Sequence, residues 1–418
     1  MRKLSVVFIA LAMVFAFSVN AMAAQALFYT EKERLPTSPT KELEVYGSIR
    51  MNTFWQSIDK ESASSTGFAF KDSDLVWDID DGSSRFGVRF KSGKVGANVE
   101  IRPRDRQSVR TRAMSIQGQM DLLRHWYGSY DLGFGTFIVG QTWTPTFNPI
   151  CNECLIGGGG VLDGYGDGGF TARAPGLQLH VPIKGINGLF KFALLKPWTD
   201  PGPLGTTGIA ATNVTPNWGA TGADFDTTLP KIEVSLSGAF GPLGFNVRGG
   251  WNTVDYVQKT TDTSETVDSW VACGDVMYSI GPFYVRGLGY LAQNLSVYGA
   301  GAPAAALGLF PTQLVAGDNS IEDVKNWGWF GVAGFKFNDM LSIEAGYGMR
   351  QSKQDVAGGT AKEDASAFVV FLPISITPAF VITPEVLWTD EGTIKVPGAA
   401  DIDRGNKLYY GIYWRIDF

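Results

Sequence analysis

The sequence predicts an all-β fold: a transmembrane antiparallel up-and-down β-barrel of about 16 strands, with short turns at one end and long loops at the other. Three observations carry this. The C-terminal segment alternates strictly between apolar and polar residues, with charge on one face only. Tight turns and long connections interleave along the chain. Finally, there are 51 glycines and 13% aromatic residues, while charged residues reach only 18%, below the ~25% of ordinary globular chains. No apolar run beyond the N-terminus is long enough for a membrane helix, which needs ~20 residues. A barrel strand needs only ~9–11, with every second side chain facing lipid.

The last strand shows the pattern most clearly. Leu408, Tyr410, Ile412, Trp414, Ile416 and Phe418 share one face, and Lys407, Tyr409, Gly411, Tyr413, Arg415 and Asp417 share the other. A sheet between hydrocarbon and water requires this, because a charge on the lipid face costs about 2–4 kcal/mol near the midplane. The same period recurs upstream. Val45, Gly47, Ile49, Met51 and Trp55 oppose Glu44, Tyr46, Ser48, Arg50 and Asn52, and Ile232, Val234 and Leu236 oppose Lys231, Glu233 and Ser235.

Tight turns are expected at 92–94, 132–135, 184–186, 240–244, 279–282, 337–340 and 375–378. Long loops are expected at about 58–72, 105–120, 145–169, 198–228, 256–265, 297–324, 354–362 and 392–403. Such barrels turn their short connections to the periplasm and their long ones outward. Two places resist a regular strand. Leu75, Trp77 and Ile79 run out of phase with Phe86, Val88 and Phe90, which calls for a bulge near 80–84. The strand around 365–374 is apolar on both faces, as expected if it rests on an inward-folded loop or in a subunit contact.

Residues 1–23 read as a secretory signal peptide. Arg2 and Lys3 precede an apolar run that ends at Ala21-Met22-Ala23. Residues 24–42 then form a polar periplasmic extension, and 43–418 the barrel. Among the three cysteines, Cys151 and Cys154 form a C-x-x-C, read as a small disulfide pinning a loop, with two free thiols or a metal site as the alternatives. A zinc site lacks ligands, because the only other candidates are Cys273, His125 and His180. No metal or cofactor is expected.

Arginines collect on one predicted wall. Arg85 and Arg89 lie opposite Phe86, Val88 and Phe90; Asn98, Glu100, Arg102 and Arg104 lie opposite Val99 and Ile101; Arg50 and Arg124 extend the set. A stripe of lumen-facing cations would set up a field across a water-filled path. The plainer alternative is that these residues only solvate the lumen or meet lipopolysaccharide phosphates at the rim.

The run Arg124-His125-Trp126-Tyr127-Gly128 through Phe134-Gly135-Thr136 to Gly140-Gln141 resembles the hairpin of Gram-negative trimeric general porins. Ser84-Arg85-Phe86-Gly87 and Val45-Tyr46-Gly47 are similar to the second and first strands of that family, and a narrower likeness is to the homotrimeric porins of sulfate-reducing bacteria. The resemblance spans residues 43–418. It implies an outer-membrane homotrimer for passive diffusion of small hydrophilic solutes and ions. It also implies a third long loop, here 145–169, folded inward so that its carboxylates, Asp163 and Asp167, face the arginine wall across a constriction. The family's Pro-Glu-Phe-Gly-Gly loop element is missing, and a glycine run at 157–160 stands in the loop. Phe418 is similar to the terminal aromatic by which barrel-assembly machinery recognises its clients. Lipid and lipopolysaccharide are the expected surroundings, and nucleic acid is not an expected partner.

An enzyme is not expected: neither histidine lies near a nucleophile motif such as G-x-S-x-G. The closer alternative is a substrate-specific channel for a sugar or an anion, with Tyr409 and Tyr413 as candidate lumen aromatics.

Overall fold

The computed structural model describes residues 41–59, 73–80, 83–102, 123–152, 154–155, 162–171, 173–198, 223–258, 263–299, 322–356, 358–398 and 400–418. In chain order its strands are β1 (Lys41–Ile58), β2 (Ser73–Ile79), β3 (Arg85–Ser92), β4 (Val95–Ile101), β5 (Leu123–Asp131), β6 (Thr136–Trp143) and β7 (Arg173–Ile183). There follow β8 (Gly188–Leu195), β9 (Ala223–Asp226), β10 (Lys231–Phe240), β11 (Leu243–Gln258), β12 (Thr263–Ile280), β13 (Phe283–Gln293) and β14 (Val324–Lys336). The chain ends in β15 (Ser342–Val356), β16 (Gly359–Phe371), β17 (Ile374–Thr377), β18 (Phe380–Asp390), β19 (Thr393–Lys395), β20 (Ile402–Asp403) and β21 (Asn406–Asp417).

These 21 segments form one antiparallel sheet of 16 barrel strands. The pairs β2/β3, β9/β10, β16/β17, β18/β19 and β20/β21 are each one barrel strand interrupted by a short irregularity. Pairing of β1 with β21, from Ser48↔Asp417 to Ile58↔Lys407, closes the cylinder and removes its edges.

The burial pattern is inverted relative to a water-soluble protein. Along β1, Val45 is 56% and Ile49 60% exposed, whereas Ser48 is 2% and Asn52 4% exposed. Elsewhere Trp77, Val247, Val276 and Leu291 are exposed, while Glu233, Arg248, Glu344 and Arg350 are buried. An exposed apolar exterior around a polar interior suits a barrel in hydrocarbon. Outward aromatics such as Trp55 and Tyr410, stacked at 5.9 Å, contribute to its belt.

All seven expected tight turns are present at one end of the sheet. The expected irregularity at 80–84 is a break between β2 and β3: Met51 pairs with Ile79 but Ser48 with Arg85, so the interrupted strand carries extra residues there. Asp80 holds the break by accepting from the Ser83 amide at 3.0 Å and the Tyr413 hydroxyl at 3.0 Å. At the seam, Phe418 and Gly47 exchange two backbone hydrogen bonds of 2.9 and 3.1 Å. The Phe418 ring lies over Gly47, where an added Cβ would meet its Cζ at 2.3 Å.

Three expectations need correction. The connections at 256–265 and 354–362 are not long loops, because β11/β12 and β15/β16 keep pairing out to Gln258↔Thr263 and Val356↔Gly359. Their polar residues satisfy ladder hydrogen bonds above the membrane as well as water would. The connection at 392–403 carries the short strands β19 and β20. Strand β1 starts at Lys41, inside the expected extension, by pairing Lys41 with Ser92. The signal-peptide reading and the loops at 105–120 and 60–72 lie outside the described residues.

Candidate pore constriction

The connection between β6 and β7 folds into the barrel, and the interior wall holds it by its backbone. The Thr146 amide donates to Glu233 on β10 at 3.0 Å, and the Asn148 side chain to Asp275 on β12 at 3.3 Å. Arg248 on β11 donates to the Thr146 carbonyl at 3.0 Å and Arg286 on β13 to that of Ile150 at 2.8 Å. The Asn152 amide reaches Glu344 on β15 at 3.3 Å, and the amides of Cys154 and Leu155 reach Glu385 on β18 at 2.7 and 3.1 Å. Residues 146–152, 154 and 155 thus line the inner wall from β10 to β18, and a side chain of the wall meets them about every second residue. A loop buried this way would otherwise strand its polar backbone groups; here carboxylates and guanidinium groups replace water.

Apolar contacts complete the docking. Leu155 and Leu162 are fully buried, and with Tyr165 and Phe170 they pack in one cluster with Leu288, Phe330, Ala367, Val369, Phe371 and Leu387. This explains the strand around 365–374. Its inner face (Ala365, Ala367, Val369, Phe371) carries the loop, and its outer face, with Phe368 exposed, meets lipid.

A second inward element joins the first. A single helical turn, Leu295–Tyr298, follows β13. Fully buried Lys231 pairs with Glu233 at 3.0 Å, donates to the Tyr298 carbonyl at 2.7 Å and to the Thr171 hydroxyl, and lies 3.5 Å from the Tyr298 ring centroid. Glu233 also accepts from the Tyr298 hydroxyl at 2.9 Å. One ion pair therefore ties together β10, both ends of the inward loop and the turn after β13. Asn252 adds Trp198 to the assembly, accepting from its amide and donating to its carbonyl, both at 3.2 Å.

The opposite wall is basic. Arg124 on β5, 4% exposed, pairs with Glu100 on β4 at 2.6 Å. Arg85 on β3 stands 3.9 Å from the same carboxylate, and Tyr46 donates to it at 2.9 Å. Arg102 continues the Glu100 face of β4. Arg173 on β7 stacks 4.2 Å from the centroid of Trp143, which in turn stacks on Phe147 at 4.5 Å. Arg124 and Arg85 thus share one carboxylate, Glu100, and Arg173 stands on Trp143 on the same side of the barrel. Arg50 lies on the same inner surface of β1, donating to Ser48 at 2.8 Å and Tyr413 at 3.3 Å.

The structure thus brings Arg50, Arg85, Arg102 and Arg124 onto the lumen face. It sets Arg89 apart. That residue sits near the tight-turn end, half exposed, paired with Glu44 at 3.1 Å and 4.0 Å from the Tyr46 ring centroid. Alternation gave its face correctly but said nothing of its height. Arg104 lies outside the described residues. Asp163 belongs to a short 3-10 turn, Leu162–Tyr165, in the inward loop.

Asp167 does not face the arginines. Its carboxylate is turned into the loop, accepting from the amides of Ile150 at 2.8 Å and Cys151 at 3.1 Å. Burial pushes its carboxyl up to about 8, against the pull of those two amides and of Arg248. Of the readings the sequence left open for Cys151 and Cys154, the structure shows thiols with no bond between them. Cys151 lies beside Glu344, and the Cys154 amide donates to Glu385. Tyr409 and Tyr413 face inward but are packed to 8% and 3% exposure, so neither offers a free ring to a solute.

Sequence reasoning had no way to single out Glu233, Asp275, Glu344 and Glu385. Each reads as one more solvated lumen residue until the loop is laid across it. Arg173 and Trp143 carried a fainter signal, an arginine and an aromatic bracketing the inward loop.

A closed 16-stranded antiparallel barrel with an apolar exterior, a polar interior and an inward-folded loop after β6 is the fold of Gram-negative outer-membrane porins. No protein-family model and no curated protein sequence matches the chain, but solved structures do. The outer membrane channel DcaP of Acinetobacter baumannii superposes with a TM-score of 0.60 at 14% identity, over 92% of this chain and 99% of that one. The anion-selective porin from Comamonas acidovorans gives 0.56 at 14%, over 91% and 100%. OmpT, an outer membrane protein of Vibrio cholerae, gives 0.53 at 16%, over 91% and 99%. At such identities the likeness establishes the fold.

Proposed function

We propose that the protein is a passive diffusion channel for small hydrophilic solutes and ions, with a constriction that favours anions. One observation carries this reading. The inward loop engages the carboxylates of Glu233, Glu344 and Glu385 as backbone anchors, while Arg85 and Arg124 on the opposite wall share the single carboxylate of Glu100. The remaining path then runs along the arginine side. In a narrow, low-dielectric passage, fixed charge of one sign raises the local concentration of the opposite ion. The arrangement differs from the transverse field expected from sequence, because Asp167 is turned into the loop. That one of the solved structures of this fold is titled an anion-selective porin is consistent with this reading.

The test is single-channel recording in planar bilayers. Open, linear conductance without block by any one solute class supports a general channel. Saturable block by a single class of sugar or anion would replace it with a specific one. We further propose a homotrimer, as one solved form of the Vibrio protein is a trimer, and Phe418 at the seam as the assembly signal. Crosslinking in native membranes tests the first, and folding yield of Phe418→Ala the second.

A further inference from the structure

One lumen cation stands apart from the arginine wall and from the ion pairs that hold the loop. Lys191 on β8 is half-buried and shares its face with Ala193 and Leu195, which are 0% and 1% exposed. Among the described residues it has no ion-pair or hydrogen-bond partner. Its neighbours in register are His180 on β7 and Ser235 on β10, and Arg248 on β11 continues the row. Side chains directly opposite in a sheet stand ~4.5–5.5 Å apart at Cβ.

The row lies just beneath the inward loop. Arg248 donates to the Thr146 carbonyl, and Glu233, which accepts from the Thr146 amide, is two residues further than Ser235 from the tight turn after β10. That is a step of roughly 7 Å. Strand β7 also carries Arg173, so the row adjoins the arginine wall on its tight-turn side.

The carboxylates nearby are each matched by another cation. Glu233 pairs with Lys231 and Asp275 with Arg248, both at 3.0 Å. Asp131 lies three strands away in the same row, exposed and capping the Gly133 amide at 2.7 Å. Three strand spacings are roughly 14 Å, beyond the ~8 Å screening length of physiological salt. The positive charge left over on this part of the wall is that of Lys191.

His180 adds an acceptor beside these donors. The Gln178 side chain donates to the Trp143 carbonyl at 3.1 Å, which turns its oxygen towards Nε2 of His180 at 2.9 Å. The ring proton is thereby assigned to Nε2, and in a neutral imidazole Nδ1 is then an acceptor. Among the described residues nothing donates to it.

We propose that Lys191, Ser235 and His180 form a weak station for hydrogen phosphate on the tight-turn side of the constriction. Lys191 and Ser235 donate to phosphate oxygens, and the phosphate O–H donates to Nδ1 of His180. Sulfate at pH 8 has the same shape and charge but no O–H, so it would set an acceptor against an acceptor. The station rests on the diffusion-channel reading.

The experiment follows reductive methylation of the purified full chain by peptide mass spectrometry at pH 8. Ionic strength is held constant in chloride, sulfate or inorganic phosphate. Lys336 and Lys395, exposed and each paired with an aspartate, are the controls. Phosphate should slow methylation of Lys191 at least threefold relative to sulfate and leave both controls unchanged. His180→Ala, verified as folded by heat-modifiable migration, should protect Lys191 equally in the two anions. Sulfate protecting wild type as well as phosphate does overturns the proposal. So do equal slowing at all three lysines, failure of Lys191 to react in chloride, and discrimination that survives in His180→Ala. Bilayer recordings keep the two readings apart. A wild type that conducts and prefers anions while Lys191 ignores phosphate loses the station alone, whereas absence of conductance removes the channel whatever the labelling shows.

Discussion

Replacing Glu385 by alanine should loosen the inward loop and leave the barrel intact. The carboxylate is 3% exposed and accepts from two successive amides, Cys154 at 2.7 Å and Leu155 at 3.1 Å. A hydrogen bond to a charged acceptor contributes about 1.5–3 kcal/mol, so losing both costs the docked segment roughly 3–6 kcal/mol locally. At about 1.4 kcal/mol per tenfold, even the lower figure raises the population of a detached segment roughly 150-fold. The rest of the loop stays anchored through Glu233 and Glu344, so release is partial. The assay is single-channel recording on refolded protein. Glu385→Ala should show a larger mean conductance and frequent flickering between levels. Glu385→Gln keeps one oxygen acceptor but loses the charge, and should fall between wild type and the alanine variant. If conductance and noise match wild type in both variants while heat-modifiable migration is normal, the anchor is not what holds the loop, and the reasoning fails.

Three further outcomes follow from the same interior. Glu233→Ala leaves Lys231 buried without its carboxylate, a change that costs about 3–5 kcal/mol; the heat-modifiability midpoint should fall well below that of Glu385→Ala. Raising pH through about 8 should ionise Asp167 in the docked loop. Its carboxyl lies above the ordinary range when docked, so docking binds the proton and weakens as pH rises from the undocked value towards that point. Current noise should therefore grow as pH rises from the ordinary carboxylate range to about 8 and level off above it, and Asp167→Asn should flatten that dependence. Gly47→Ala places a methyl group 2.3 Å from the Phe418 ring. The ring must swing off the seam, and slower assembly into the heat-modifiable form should show it.

Much of the barrel was legible because membrane physics writes a period of two into each strand. The out-of-phase residues around 75–90 gave away the break at Asp80, and the doubly apolar face at 365–374 gave away the docked loop. Seven turns could be placed from their glycine, asparagine and proline residues. The lumen arginines proposed to line the constriction were only half legible. Arg85, Arg102 and Arg124 follow from alternation, but alternation fixes a face and not a height, which is why Arg89 proved to lie at the tight-turn end beside Glu44. Asp167 looked like a free loop carboxylate because nothing local says that the amides of Ile150 and Cys151 will take it. The anchoring carboxylates were silent because their role exists only once strands far apart in sequence have closed around the loop.

The central claim is that the open path follows the arginine wall of β3–β7. The reversal potential of the purified channel in a salt gradient measures this directly. The account predicts a sign corresponding to anion preference, and a shift towards cations in Arg85→Ala/Arg102→Ala. A cation-preferring wild type, or a potential unmoved by removing both arginines, would contradict it.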